Sequence, residues 1–361
     1  MTDLFSMQNI IHGDCLDVMR EMDPCSIDCI VTDPPYGLSF MGKDWDHGVP
    51  GIEFWKASLR VLKPGGHLLA FGGTRTYHRL TCAIEDAGFE IRDCMMWVFG
   101  SGFPKSHNFG KKVGGGWEGY GTALKPAYEP IIVAMRSIDG TFAQNAEKWG
   151  VGGINIDECR VATSDNWKIL DNGVESIMWR KKKPITRSSN ILGRWPANII
   201  LDEEAGMALD EQSGEGKSSG PRCSKIPDKF FIGKGMNPTV GYFDSGGASR
   251  FFYCAKASSA ERNNGLEGLN KKAAFDNENG AMGGNMGSRY KPRENHHPTV
   301  KPIKLMEYLL KLVMPPFPDA VVLDPFAGSG STLVAAKNLG FNAIGIEKEA
   351  EYVEIANRRI A

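Results

Sequence analysis

Two short stretches of this chain combine residue types and spacings that chemistry could use. The first is "IVTDPPYGLSF" (30–40), where Asp33, Pro34, Pro35 and Tyr36 stand directly behind what reads as a buried strand. Proline fixes φ, removes a donor and drives the preceding residue to extended geometry, so this tetrapeptide is a stiff turn. Such a turn either ends the strand and does nothing more, or it holds an acid and an aromatic in one fixed place. The second stretch is "AVVLDPFAGSGSTLVAAKNLGFNAIGIEKEA" (320–350). It reads as a strand from Val321 to Leu323, a glycine-rich turn in "DPFAGSGS", a helix from Thr332 to Leu339 stopped by Gly340, and a parallel strand in "NAIGIE". Gly328 and Gly330 let the backbone approach a ligand closely, and the helix behind them begins with unpaired N–H groups. Glu347, closing the second strand, is placed to accept hydrogen bonds from both hydroxyls of a ribose; Glu349, beyond the strand, is the second choice. No lysine follows the glycines, which excludes the triphosphate loop, and Leu333 and Val334 stand where a dinucleotide turn needs its third glycine. A nucleoside site with an acidic ribose clamp and no pyrophosphate cradle remains, and S-adenosylmethionine fits that description.

These residues need elements to hold them. Strands are expected in "NIIHG", "IDCIVT" and "HLLAFGG", with "GIEFWKASLRVL" a helix by its apolar spacing and "LKPGGH" a turn before the third strand. "FEIRDCMMWVF" and "YEPIIVAM" read as a hairpin at the sheet edge. From about Ile138 to Gly247 the pattern gives way to Gly, Ser, Asn and Lys, with only "RWPANIILDE" strand-like, too long for a plain loop in a compact domain. The expected organisation is a catalytic part over 1–137, an inserted target-recognition region over 138–248, and a second catalytic part over 249–361.

The two motifs together resemble those of the amino-methyltransferases of DNA, and their order, tetrapeptide first, is similar to that of the permuted beta class. "GDCLDVM" (13–19) and "HPTVKP" (297–302) match further motifs of that family. The likeness spans roughly Met7 to Arg136 and Ser249 to Ala361. It implies an α/β fold: a doubly wound, mixed but mostly parallel sheet of Rossmann-like methyltransferase type, circularly permuted, with an irregular insertion. The chain ends with a strand and a helix and begins with the strand that should follow, which puts both motifs on adjacent strands at the carboxyl edge of one sheet. The resemblance implies S-adenosylmethionine as cofactor. Its site is expected at Asp14, Asp33, Thr299, Lys301, Asp324, Pro325, Phe326, Ala327, Gly328, Ser329, Gly330, Ser331 and Glu347. Asp14 is alternatively a helix cap, Phe326 a core side chain and Lys301 a phosphate contact. Asp33, Pro34, Pro35 and Tyr36 are the implied catalytic residues. The Asp33 carboxylate and Pro34 carbonyl would accept from the two N–H bonds of an exocyclic amine, directing its lone pair at the methyl group, while Tyr36 would stack on an extruded base. A tetrapeptide beginning with Asp favours N6 of adenine in double-stranded DNA; family members acting on cytosine N4 usually begin with Ser. A catalytically inactive DNA-binding protein of the same fold is a further alternative.

Composition is that of a soluble globular protein: 42% hydrophobic, 24% charged. A net charge of -1 does not favour nucleic acid, but the charge is uneven. "MWRKKKPITRSSNILGRW" carries Arg180, Lys181, Lys182, Lys183, Arg187 and Arg194 with no acid. The first five are expected to contact DNA phosphates, the alternative being a solvated loop. Cysteines at 15, 25, 29, 82, 94, 159, 223 and 254 form no C-x-x-C pair, so they are expected to be reduced core thiols, with no metal site. His296 and His297 are expected to be packing residues. No stretch is apolar enough to span a membrane, and "MTDLFSMQNI" is unlike a signal peptide, so the expected location is the cytoplasm. A second copy of the chain, in a homodimer, is the remaining partner to consider.

Overall fold

The structure is a computed structural model that describes residues 8–38, 48–102, 106–163, 193–217, 244–255, 261–272 and 293–361. In chain order its elements are β1 (Gln8–His12), α1 (Cys15–Glu21), β2 (Ile27–Thr32), α2 (Ile52–Val61), β3 (Leu62–Phe71), α3 (Tyr77–Asp86), β4 (Glu90–Val98), α4 (Gly110–Val113), β5 (Tyr128–Met135) and α5 (Phe142–Trp149). They continue with β6 (Ile199–Asp202), α6 (Glu203–Ser213), β7 (Gly216–Lys217), β8 (Ser245–Gly246), β9 (Tyr253–Ala255), α7 (Ile303–Val313), β10 (Val321–Asp324), α8 (Ser331–Leu339), β11 (Asn342–Glu347) and α9 (Ala350–Ile360). Nine strands make one sheet in the order β1-β11-β10-β2-β3-β5-β4-β6-β9. Every neighbouring pair is parallel except those made by β5. β7 and β8 form a separate two-stranded ribbon.

Both faces of the sheet are covered, which is why its central strands are apolar without alternation. Val31, Leu69 and Val133 face a core closed by α7 and α8, and their neighbours Ile30, Leu68 and Ile132 face an opposite core closed by α1, α2 and α3. α7 is buried nearly all round. Its one buried acid, Glu307, is satisfied by Lys304 at 2.8 Å and Asn338 at 2.9 Å. The C-terminal strands meet the N-terminal ones at the centre, where Val322 pairs with Cys29 and Leu323 with Ile30.

Two expectations about the elements are corrected. "LKPGGH" does not precede the third strand; it lies within β3, where the register against β2 jumps from Ile27↔Leu62 to Cys29↔His67. The resulting bulge is pinned by Asn145 of α5, whose Nδ2 donates to Pro64 O at 2.9 Å, and Gly65, at φ +79, leaves room for that side chain. β4 and β5 do pair antiparallel, but in the interior of the sheet, because β6 and β9 continue it beyond β4. The described parts of 138–248 are therefore built into the main sheet through β6, with α5 packed on β3 and α6 capped by Asp202. The cysteines are also not all core thiols: Cys15, Cys29 and Cys159 are buried, but Cys82 is exposed. Cys223 lies outside the described residues. No described helix is long and apolar enough to cross a membrane.

Candidate active site

Parallel strands carry whatever follows them to one edge of the sheet. Asp14 follows β1, Asp33 to Tyr36 follow β2, Pro325 to Ser329 follow β10, and Glu347 closes β11. The antiparallel β5 delivers its beginning, Tyr128 and Glu129, to the same edge. These residues line a single cavity of about 530 Å³.

At one end of the cavity four side chains form a compact ionic cluster. The Tyr36 hydroxyl stands 2.8 Å from Asp33 Oδ1 and 3.1 Å from Glu129 Oε2. The Lys301 ammonium lies 2.6 Å from Asp33 Oδ2, 3.2 Å from Glu129 Oε2 and 3.2 Å from the Tyr36 oxygen. Lys301 is only 6% exposed, so its charge depends on these partners. Burial alone would lower its pKa, but the Asp33 and Glu129 carboxylates outweigh burial and raise it. Burial, followed by the same two carboxylates, pushes the Tyr36 phenol well above its ordinary value, so it remains a donor. The Tyr36 carbonyl accepts from Thr76 Oγ1 at 2.6 Å, which ties the turn to the start of α3.

At the other end lies the glycine turn. Asp324 is buried and accepts from Thr32 Oγ1 at 2.6 Å, from Thr332 Oγ1, and from the Phe326 amide at 3.1 Å. It thereby joins β2, β10 and α8. Burial raises its pKa to about 6 against these hydrogen bonds. Phe326 faces the cavity and backs onto Phe54 and Trp55, with centroids 6.0 and 6.4 Å apart. Glu347 accepts from the Gly328 and Glu349 amides, each at 2.8 Å, and burial raises its pKa in spite of them. Asp14 accepts from the Leu16 amide at 2.9 Å as a helix cap and also lines the cavity.

Pro34, Pro35, Thr299, Pro325, Ala327, Ser329 and Ser331 line the cavity as well. Lys301, bonded to Asp33, lines it too. One placement differs from the expectation. Gly330 does not line the cavity; its φ is +78, and an added Cβ would meet the Ala356 Cβ of α9 at 3.0 Å, so it serves the turn and helix packing. Arg194 is no surface charge, being buried in an ion pair with Asp244. Arg180, Lys181, Lys182, Lys183 and Arg187 lie outside the described residues. His297 packs as expected, edge-on to Tyr352 with centroids 4.6 Å apart, and burial holds its pKa at about 3. Among the described residues no three His, Cys, Asp or Glu are grouped to hold a metal.

Sequence reasoning missed Glu129. The only local signal is an acid opening the apolar stretch "YEPIIVAM"; its place beside Asp33 follows from β5 running antiparallel. It also missed how acidic the cavity is: Asp14, Asp33, Glu129, Asp324, Glu347 and Glu349 line it against Lys301 and Lys348. A cation fits such a chamber and a phosphate does not.

A doubly wound sheet, a glycine turn with an acid on the following strand, and an acid-proline-proline-tyrosine turn one strand away define a nucleoside-dependent enzyme with a second, adjoining substrate site. The chain belongs to the N6/N4 DNA methylase family, whose model, described as "DNA methylase", matches residues 27–358. It is 22% identical to the type II methyltransferase M.HindIII of Haemophilus influenzae over 97% of this chain and 94% of that protein. The putative methylase YubD of Escherichia coli K12 is 47% identical over 66 residues, 18% of this chain and 28% of that protein. Among solved structures, M1.HpyAVI in complex with SAM matches at 18% identity and a TM-score of 0.43, covering 98% of this chain and all of that one. The cytosine-N4-specific PvuII DNA methyltransferase matches at 16% identity and a TM-score of 0.47, covering 99% and 87%.

Proposed function

We propose that this chain transfers a methyl group from S-adenosylmethionine to the N6 amine of adenine in double-stranded DNA, as a member of the permuted beta class. The observation that carries the reading is the single acidic cavity in which the glycine turn and the Asp33 turn face each other. The strand order supports the permutation, since β1 pairs outside β11 and the C-terminal β10 pairs with β2. The residues fit the cofactor: a chamber of about 530 Å³ with an aromatic wall at Phe326 and carboxylates at Glu347, Asp14 and Asp33 suits a cationic nucleoside. S-adenosylmethionine supplies an electrophilic methyl group on a positively charged sulfur.

Adenine's amine is a weak nucleophile because its lone pair is delocalised into the ring. Asp33 and the Pro34 carbonyl, accepting from its two N–H bonds, favour a pyramidal nitrogen with its lone pair aimed at the methyl carbon. Both Asp33 oxygens are engaged, by Tyr36 and Lys301, so the amine competes for them. Glu129 resolves the competition: the Tyr36 hydroxyl and the Lys301 ammonium are both already within 3.2 Å of it and can turn to it. The N–C bond would form as the bond from the methyl carbon to sulfur breaks, leaving a neutral thioether, and the nitrogen, made positive, would give a proton to Asp33. Lys301 stays charged throughout and offsets part of the negative charge of the cluster.

Mass spectrometry of nucleosides from DNA incubated with enzyme and S-adenosylmethionine tests this. N6-methyladenine is the expected product. N4-methylcytosine would reassign the target base, and neither product would leave a binding protein of the same fold.

A further inference from the structure

Beside the catalytic turn, outside the acidic cavity, is a second hollow of about 310 Å³ walled by Gly37, Leu38, Arg75, Thr76, His78 and Arg79. The two hollows share Leu38 as a common wall. We propose that this groove seats a phosphate of the DNA strand next to the flipped nucleotide, held by Arg75 and Arg79.

Three observations support the assignment. First, the cationic side chains are uncommitted. Arg75, His78 and Arg79 are exposed, and among the described residues no hydrogen bond or ion pair ties either guanidinium. Other arginines of the fold are occupied: Arg60 and Arg136 donate to backbone carbonyls, Arg358 pairs with Glu354, and Arg359 holds the glycine turn through Ser329 O at 2.6 Å. Second, among the described residues the groove carries no acid, and the acids of α3, Glu85 and Asp86, close its far end. A planar guanidinium matches phosphate geometry and can bind it through two parallel hydrogen bonds. Third, the groove is fixed relative to the reacting atoms, because Thr76 bonds the Tyr36 carbonyl at 2.6 Å.

The charges explain why a phosphate belongs there and not deeper. A base entering the cavity is neutral and can pass its ring of carboxylates, but the phosphodiester attached to it cannot. The strand must therefore stop at the rim, and the rim beside Tyr36 is where two guanidinium groups stand that no described residue pairs.

This rests on the DNA-methylating reading above, and the experiment separates the two. The target site is mapped by sequencing DNA that the enzyme has methylated. Binding of a synthetic duplex containing that site is then measured against salt for wild type and Arg75→Gln/Arg79→Gln. A scan of uncharged methylphosphonate linkages around the target base accompanies it. The double variant should bind roughly 10- to 100-fold more weakly and lose about one to two from its salt slope, while S-adenosylmethionine affinity stays unchanged as a check of folding. In wild type, one or two methylphosphonates adjoining the target should weaken binding, and the variant should be insensitive to those same positions. A variant with wild-type affinity and slope, or a wild type indifferent to every adjoining methylphosphonate, overturns the groove and leaves the reaction standing. A wild type that binds and methylates no duplex overturns both.

Discussion

Asp33, Glu129 and Lys301 form one charge system, so their substitutions should differ in kind. On the proposed mechanism Asp33→Ala removes an acceptor that acts on the amine as it reacts, and turnover should fall by roughly 10²–10⁴-fold, far more than affinity for DNA or cofactor. Glu129→Gln keeps the shape but leaves Lys301 and Tyr36 with Asp33 as their one carboxylate. Its turnover should drop by roughly 10- to 100-fold, the equivalent of about 1.5–3 kcal/mol, with an altered pH profile. Single-turnover kinetics at several pH values separate these effects. Equal losses in binding and turnover for Asp33→Ala would show a structural role instead. Asp324 gives a different pH signature. Its folded-state pKa of about 6 lies above the ordinary value of 3.8, so the group's contribution to stability is full below about pH 4 and is lost as pH rises through 6. Between pH 4 and pH 7.5, Asp324→Asn should therefore gain about 3 kcal/mol relative to wild type in denaturant unfolding. No change in that difference would mean that the carboxyl ionises normally.

At the scale of elements, the glycine turn divides into a part that lines the cavity and a part that packs on the protein. Glu347→Ala should weaken cofactor binding by about 1.5–3 kcal/mol in calorimetry. Gly330→Val should act through the fold: a branched side chain at φ +78, against Ala356, costs on the order of 1–3 kcal/mol and should lower Tm. A variant with wild-type Tm and lost cofactor affinity would return Gly330 to the ligand. That division was not legible in the sequence, because the neighbour of Gly330 comes from α9, which is placed by tertiary packing. What was legible is local. The βαβ of β10, α8 and β11 is encoded in a buried run, a glycine turn, a helix stop at Gly340 and a second run. β2 and the tetrapeptide are encoded the same way. Legibility failed where an element depends on distant partners. The short β9 is a strand because β6, itself strand-like in the sequence, offers it an edge, and Glu129 joins the site because β5 inserts between β3 and β4 in reverse. α5 fell in a stretch read as irregular, and it is held to the bulge of β3 by a single buried amide, Asn145.

At the scale of the molecule, the cavity and its surroundings differ in charge. A near-neutral chain places six carboxylates around the cavity, exposed arginines at its rim, and five cations at Arg180, Lys181, Lys182, Lys183 and Arg187 close together in sequence. Neutralising Arg180, Lys181, Lys182 and Lys183 together should weaken DNA binding and flatten its salt dependence without touching cofactor affinity. An unchanged slope would reduce the run to a solvated loop. The hydrogen bond from Thr32 to Asp324, which locks the two motifs together, has its own implication. Its partners are separated by 292 positions. A ribosome adding about 5–20 residues per second completes the Asp33 turn roughly 15–60 s before it makes the glycine turn. Throughout that interval β2 has no β10 beside it, so on the proposed function the nascent chain carries a finished acceptor turn and no place for a methyl donor. Methylation is then silent until β10 and the glycine turn have been made, and a product cut short before them can neither hold the donor nor modify DNA.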